Sequence, residues 1–210
     1  MSKTKDKILN SARSLFNERG VSDVTLRDIA EKVGISIGNL AYHYKNKDFM
    51  IAELFDTMEE EKTEILSGVQ QIPSFENIDN QVAPLLNISK RYRFFFLDTM
   101  QILRNYPLIA EKHQTYIDNS IKYVKAVLDY SVGSGNMEPE REKGLYWRLA
   151  TMGWMNIYFW PAQMAICGKE DPTMIDVKNT MWDVIKPYLT EKGKANFDKS
   201  ITNKHEHASS

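Results

Sequence analysis

Residues 25–48 read TLRDIAEKVGISIGNLAYHYKNKD, and this stretch decides the fold. Its first apolar residues recur at the spacing of an amphipathic helix, namely Leu26, Ile29, Ala30 and Val33. Thr25 suits the N-cap of this helix, because Asp28 three residues later completes a shortened capping box. Gly34 can adopt the left-handed conformation that ends a helix. The pattern therefore predicts a helix of about two turns.

A second short helix follows the turn at Gly34. Ser36 can cap it, and one of its faces holds Ile37, Leu40, Ala41 and Tyr44. The opposite face carries Gly38, Asn39, Tyr42 and His43. Two short helices joined by a glycine-containing turn have the dimensions of a helix-turn-helix. Helices this short need a packing partner, and an earlier helix offers an apolar face, namely Ile8, Leu9, Ala12, Leu15 and Phe16.

The outer face of the second helix fits the chemistry of DNA recognition. The major groove, about 12 Å wide, admits one helix, and Gly38 allows its backbone to approach closely while the Asn39 amide can pair with adenine. Tyr42, His43 and Lys47 suit phosphate. Taken alone, these residues would be an ordinary solvated helix face, and Lys47 a surface lysine with a nearby carboxylate. Within the whole motif, DNA contact is the favoured interpretation.

The stretch resembles the DNA-binding signature of the TetR repressor family. That signature has a Thr-started helix closed by Ala and Gly, Gly-x-Leu-Tyr-x-His-Phe in the recognition helix, and Lys-x-Lys-Glu at the start of the fourth helix. The resemblance covers about residues 5–55. It implies backbone contacts by Thr25, Arg27, Tyr42, His43 and Lys47, and base contacts by Ile37, Gly38 and Asn39. Ser36 completes the set of candidate DNA-binding residues.

Two positions depart from the family pattern. Ala41 stands where an aromatic residue is common, and Asn39 stands where Thr or Ser is common. The operator sequence therefore does not transfer from a relative. The apolar residues of the motif are assigned to packing, namely Ile29, Val33, Leu40 and Tyr44.

The charge is distributed unevenly along the 210 residues. The chain has 27 Lys and Arg against 28 Asp and Glu, a formal net charge of -1. Residues 1–50 nevertheless carry nine basic against six acidic residues, whereas residues 51–72 carry six acidic residues and one lysine. Positive potential is thus expected at the N-terminus, where the motif lies.

The composition indicates a globular protein, with 42% hydrophobic and 26% charged residues. A single cysteine, Cys167, excludes an internal disulfide, and without a secretory start the chain is expected to be cytoplasmic. The most apolar stretch, residues 152–167, is too short and too interrupted to span a membrane. Cys167 is interpreted as a small core residue and not as a nucleophile.

The rest of the chain predicts long helices and an all-α fold. Their expected spans are 46–69, 76–89, 91–105, 107–132, 139–167 and 173–190. We expect a three-helix DNA-binding domain over residues 1–48, a larger helical ligand-binding and dimerisation domain over 49–202, and a disordered tail over 203–210. Gly133-Ser134-Gly135 is interpreted as a turn. The acidic run Glu59-Glu60-Glu61 is interpreted as a solvated face, and His205-x-His207 as part of the tail.

A ligand site in the C-terminal region follows from the resemblance, whereas its apolar helical stripes alone would indicate ordinary core. The candidate lining residues are Phe95, Met100, Tyr123, Trp147, Thr151, Met155 and Tyr158. Candidate polar groups are Tyr123, Asn156, Tyr158 and Gln163. The resemblance also implies a dimer interface on the helices at 139–167 and 173–190, with apolar contributions from Met152, Phe159, Met174, Met181, Trp182 and Ile185.

These features predict a homodimeric regulator that binds a palindromic double-stranded DNA operator and is released by a small, largely apolar ligand. The element expected to couple the two events is the helix at 46–69. Two alternatives are a constitutive DNA-binding protein and a helical ligand-binding protein or enzyme with a vestigial helix-turn-helix. No paired carboxylates, metal-spaced ligands or activated nucleophile support catalysis, so no catalytic residue, metal or cofactor is expected.

Overall fold

The computed structural model describes residues 3–67, 73–169 and 174–202, with the side chains of 174, 175 and 202 excepted. Within these ranges the structure is built from helices, and β-structure is confined to an isolated bridge between Met137 and Leu189. The all-α prediction is confirmed. The helices are, in chain order, α1 (Lys3–Arg19), α2 (Leu26–Val33), α3 (Ile37–His43), α4 (Lys47–Ser67), α5 (Phe75–Arg91), α6 (Arg93–Leu97), α7 (Thr99–Asn105), α8 (Pro107–Gly133), α9 (Leu145–Ile166), α10 (Met174–Ile185) and α11 (Glu191–Phe197).

Three of the predicted helices have different boundaries in the structure. The helix expected at 91–105 is divided at Asp98 into α6 and α7. The helix expected from 139 begins only at Leu145, because Gly144 before it adopts a left-handed φ of 82°. The helix expected to reach 190 ends at Ile185, where a 3₁₀ turn containing Pro187 follows. Proline lacks the backbone donor that a continuing helix requires.

The first compact unit comprises the described part of Met1–Lys62 together with Ile88–Gln114. Its core residues are almost fully buried and include Ile8, Phe16, Ile29, Leu40, Met50, Phe55 and Phe95. The rings of Phe16 and Phe94 lie 5.4 Å apart, and those of Phe55 and Phe95 lie 5.2 Å apart. The unit extends beyond the domain boundary expected at residue 48, because α4 contributes to this core.

The second compact unit comprises the described parts of Thr63–Asn87 and Thr115–Ser210. One of its cores centres on three aromatic rings, those of Phe75, Trp182 and Phe197, whose centroids lie 5.1–5.7 Å apart. A second cluster contains Val82, Leu86, Trp160, Met164 and Val177. Trp182 is therefore core, which corrects its assignment to a dimer interface.

The last α-helix, α11, approaches another segment very closely at Gly193. A Cβ on Gly193 would lie 1.9 Å from the carbonyl oxygen of Asn136. The Thr190 amide donates to that same oxygen at 3.1 Å, and the Thr190 hydroxyl donates to the Gly135 carbonyl at 2.7 Å. Glycine at position 193 thus permits α11 to dock on the turn after α8, where the turn predicted from Gly133-Ser134-Gly135 is confirmed.

Candidate DNA-binding interface

Helix α2 is fixed at both ends by the residues that the sequence indicated. The Thr25 hydroxyl accepts from the Asp28 amide at 3.2 Å, and the Asp28 carboxylate accepts from the Thr25 amide at 2.7 Å. At the other end Gly34 has a φ of 78°, and its amide donates to the carbonyls of Ala30 and Glu31. The predicted capping box and left-handed stop are confirmed. The accepted bonds hold the pKa of Asp28 below its ordinary value.

Helix α3 is capped and anchored to the unit on which it rests. The Ser36 hydroxyl accepts from the Asn39 amide at 3.2 Å, as a serine N-cap should. Leu40 is fully buried and Tyr44, which follows the helix, is 3% exposed. Their burial confirms the packing role expected for both residues.

A polar cluster beneath α3 joins it to α1 and α4. The Tyr44 hydroxyl donates to Glu53 at 2.9 Å, Lys5 pairs with Glu53 at 2.8 Å, and the Lys5 ammonium lies 5.4 Å from the Tyr44 ring centre. Burial and the Glu53 carboxylate raise the pKa of Tyr44 far above its ordinary value. The hydroxyl is therefore a permanent donor that fixes the end of α3.

The outer face of α3 is exposed, as recognition requires. The Tyr42 side chain is 86% exposed and that of Ile37 is 51% exposed. The other exposed residues of this face are Ser36, Gly38, Asn39 and Ala41. The expectation that Ile37 and Ala41 share the packing face of Leu40 and Tyr44 is therefore wrong, because both are exposed. His43 is half-buried, and its ring meets that of Tyr42 edge-on at 5.2 Å. The exposed face of α3 thus combines apolar and polar groups.

Gly38 leaves the N-terminal part of this face without a side chain. A Cβ built there would meet nothing nearer than the Ser36 hydroxyl, at 4.0 Å. The fold itself therefore does not require glycine at position 38. The lack of a side chain at position 38 matters instead for a binding partner. It lets a DNA groove that lies over α3 come close to the helix backbone.

The ammonium group of Lys47 forms hydrogen bonds within the protein. Its Nζ donates to the carbonyls of Val21 at 2.5 Å and Val24 at 2.9 Å. Burial lowers the pKa of Lys47 below its ordinary value. These bonds give Lys47 a role within the protein, since they hold the segment that precedes α2. The phosphate contact expected of Lys47 stays a prediction.

Cations that stay at the surface of this region are Arg27 and Lys45. Both side chains are exposed. Lys32, by contrast, lies 3.1 Å from Glu18 and so is partly neutralised. Lys45 is not among the residues predicted from the sequence. Its position just after α3 could have indicated a phosphate contact.

The end of α1 is held by the segment around α6. The Asn17 side chain donates to the Arg91 carbonyl and accepts from the Phe94 amide, each at 2.9 Å. The Asp98 carboxylate accepts from the Val21 amide at 3.3 Å. The Val21 amide thus binds Asp98, and the Val21 carbonyl binds Lys47. The loop before α2 is therefore held both by the segment around α6 and by the first residue of α4.

The candidate ligand-binding residues are divided between the two compact units. Phe95 is buried beside the rings of Phe55 and His113, and Met100 is 63% exposed. Both belong to the first unit. The others belong to the second unit, where Tyr158 is buried, Trp147 and Met155 are about half exposed, and Tyr123 and Thr151 are intermediate. The grouping of these seven residues into one ligand site stays a prediction.

Two minor expectations are changed by the structure, and a third cannot be compared with it. Cys167 is exposed, because it lies at the end of α9, and so is not core. Glu59 is buried and pairs with Lys62 at 2.7 Å, so the acidic run is only partly solvated. His205 and His207 lie outside the described residues, as does the whole predicted tail.

Within residues 3–67, 73–169 and 174–202, no three His, Cys, Asp or Glu side chains lie together as a metal site would require. None of the helices in these ranges combines the length and apolar character needed to cross a membrane.

Comparison with known proteins agrees with this geometry. A family model described as "Bacterial transcriptional repressor" (TetR) matches residues 50–197, and one described as "Bacterial regulatory proteins, tetR family" matches residues 8–54. The HTH-type transcriptional repressor KstR2 of Mycolicibacterium smegmatis is 26% identical over 164 residues, which cover 69% of this chain and 72% of that protein.

Solved structures share the fold. A TetR-family transcriptional regulator from Marinobacter aquaeolei has a TM-score of 0.81 at 24% identity, covering 95% of this chain and 98% of that one. The SmeT–triclosan complex has a TM-score of 0.59 at 20% identity, with coverages of 90% and 93%. Because the first family model spans more than half of the sequence and the second spans the helix-turn-helix, the chain belongs to the TetR family of bacterial transcriptional regulators.

Proposed function

We propose that this chain is a repressor that binds a palindromic operator as a homodimer and leaves it when a small, largely apolar ligand binds. The observation that carries the proposal is the outer face of α3, where Tyr42 is 86% exposed on a helix held by the Ser36 cap and by fully buried Leu40. An aromatic residue presented to solvent on a rigid element suits a macromolecular partner.

The proposed contacts divide by chemistry. We place the base contacts at Ile37, Gly38 and Asn39, because glycine at position 38 lets the helix backbone approach the bases. Phosphates are bound by groups around this face, namely Thr25, Arg27, Ser36, Tyr42 and His43. Lys47, whose ammonium is bound to two carbonyls, holds the motif in shape, and exposed Lys45 joins the phosphate contacts.

Dimerisation is proposed to use α9. Large apolar side chains remain about half exposed or more along this helix, namely those of Met152, Met155, Phe159 and Ile166. Such a row is typical of an association surface. Two recognition helices are needed because half-sites lie about 34–36 Å apart on one side of the DNA.

The ligand is proposed to bind the second unit. SmeT, which shares the fold, is known in complex with triclosan. Binding would shift the protein toward a conformer unsuited to the operator, in proportion to the difference in ligand affinity between the two states. We place the protein in the cytoplasm, where its DNA partner is, and its activity in regulation and not in catalysis.

The test uses DNA fragments selected from the source genome by the protein itself. Fluorescence anisotropy of a labelled selected duplex is measured at several salt concentrations, with an unrelated duplex alongside. We expect a preference for the selected duplex, an affinity that falls steeply with salt, and weakening by Tyr42→Ala. Tyr130→Ala, which truncates an exposed tyrosine on α8, is the control and should have no effect. Equal binding of both duplexes by parent and variant would refute sequence-specific regulation.

A further inference from the structure

Helix α9 carries two buried hydrogen-bond donors that have no acceptor among the described residues. They are Nδ2 of Asn156 and Nε1 of Trp160. The two residues are four positions apart, so their side chains lie one turn apart on the same side of the helix. Buried polar atoms in folded proteins are nearly always paired, which makes two such donors side by side a feature to be explained.

Comparable donors in the same unit are satisfied. The indole of Trp182, which is also buried, donates to the Asp79 carboxylate at 2.9 Å. The buried amide of Gln81 donates to the Tyr123 hydroxyl at 3.0 Å. Asn156 and Trp160 thus differ from these two described residues of the same unit in lacking an acceptor.

The Trp160 side chain lies in an apolar cluster. Trp160 packs with Val82, Leu86, Met164 and Val177. Apolar side chains around a small number of polar groups are the usual composition of a site for a small molecule. An acceptor that reached the two donors would have to be carried on an apolar body.

The charges nearby favour an uncharged acceptor. Asp79 and Lys178 form a buried ion pair on the two helices, α5 and α10, that contribute Val82 and Val177 to the cluster. Since that pair is already balanced, a ligand carboxylate would add a charge with no partner in apolar surroundings. A neutral carbonyl oxygen has two lone pairs, which match the two N–H donors.

We propose that Asn156 and Trp160 form the polar end of the effector site, and that they bind the carbonyl oxygen of an uncharged apolar molecule such as a ketone, ester or lactone. The oxygen accepts from Nδ2 of Asn156 and from Nε1 of Trp160, and the apolar body lies against the cluster around Val82 and Met164. The release of DNA by such a molecule rests on the proposed function, whereas the binding itself does not.

Two sets of matched probes test this assignment. One set is 2-decalone, decalin and decalin-2-carboxylate, and the other is 2-undecanone, undecane and undecanoate. Binding to the full chain is measured by nuclear magnetic resonance on protein labelled with nitrogen-15 in its four tryptophans. The Trp160 indole signal is identified by its loss in Trp160→Phe.

A ketone of at least one set should bind more tightly than its hydrocarbon and carboxylate counterparts, and should move the Trp160 indole proton downfield as a new hydrogen bond forms. Trp160→Phe and Asn156→Leu should each weaken ketone binding about tenfold. Asn156→Leu, which removes an unpaired buried amide, should not lower thermal stability in the absence of ketone. Tyr130→Phe on α8 and Asn179→Leu on α10, both at exposed residues, are controls and should bind as the parent does.

The assignment is overturned if neither ketone is preferred over its counterparts, if the Trp160 signal stays in place, or if the variants bind the ketones as the parent does. The anisotropy assay separates this outcome from failure of the proposed function. Ketone binding at Trp160 without loss of DNA affinity would refute ligand release but leave the site intact. If a probe releases DNA from the parent and from both variants alike, the assignment of Asn156 and Trp160 is refuted, but the proposed ligand-responsive repressor is not.

Discussion

The Nζ of Lys47 donates to the carbonyl oxygen of Val24 at 2.9 Å, and so the first residue of α4 holds the residue that precedes the N-cap of α2. The same ammonium also binds the Val21 carbonyl. Lys47→Met retains the aliphatic stem but leaves two carbonyls without their donor. We expect a loss of about 1–3 kcal/mol in the free energy of unfolding, measured by urea denaturation, together with weaker operator binding.

The salt dependence of DNA binding distinguishes positioning from direct phosphate contact. Removing one cation that binds a phosphate reduces the slope of log affinity against log salt concentration by about 0.9. We expect Lys47→Met to lower affinity at every salt concentration and leave the slope unchanged. Arg27→Met, at an exposed cation, should reduce the slope. A slope lowered equally by both variants would show that Lys47 contacts phosphate, as the resemblance implied.

The sequence predicted the parts of the motif whose causes are local. Thr25, Asp28 and Gly34 act on atoms within a few residues of themselves, so their types and spacing suffice. The break at Asp98 could not be predicted in this way, because no glycine or proline marks it. Its carboxylate accepts from Val21, 77 residues earlier, and only the folded chain brings the two together.

The candidate ligand residues show a second limit of prediction from sequence. A helical stripe shows that residues share a face but does not say what that face meets. Phe95 and Tyr158 both lie on such stripes and both are buried, yet they belong to different units. The unpaired donor of Trp160 had no signal in the sequence, since Trp182 has the same side chain and a satisfied indole.

Gly193→Ala should destabilise the protein strongly. The added Cβ would lie 1.9 Å from the Asn136 carbonyl oxygen, and a backbone atom cannot move aside without displacing α11. We expect a loss of about 2–4 kcal/mol in the free energy of unfolding. Urea denaturation followed by circular dichroism measures it, and unchanged stability would mean that α11 does not dock on the turn at Asn136.

Gly38→Ala should stabilise the protein but weaken operator binding. The new methyl group meets nothing nearer than 4.0 Å, and alanine favours a helix, so stability should rise by about 0.5–1 kcal/mol. Operator affinity should fall, because the methyl group stands between α3 and the bases. Anisotropy and urea denaturation on the same preparation check both effects. Undiminished operator affinity would show that the DNA does not approach the backbone at Gly38.

The buried imidazole of His113 should make stability depend on pH. It lies edge-on to the rings of Phe55 and Phe95, at 6.1 and 5.4 Å. Burial, helped by the charge of Lys62, lowers the pKa of His113 to about 4. In the unfolded chain a histidine titrates at about 6.5. Between these values the unfolded chain binds a proton that the folded protein does not, so protonation favours unfolding.

The free energy of unfolding should therefore be independent of His113 above about pH 6.5 and fall as the pH is lowered toward 4, by up to about 3 kcal/mol. His113→Phe keeps an aromatic ring but cannot take the proton, so the slope in this range should flatten. Urea denaturation at intervals between pH 4.5 and 7 measures both proteins. Equal slopes for the parent and His113→Phe would mean that another group takes up the proton on unfolding.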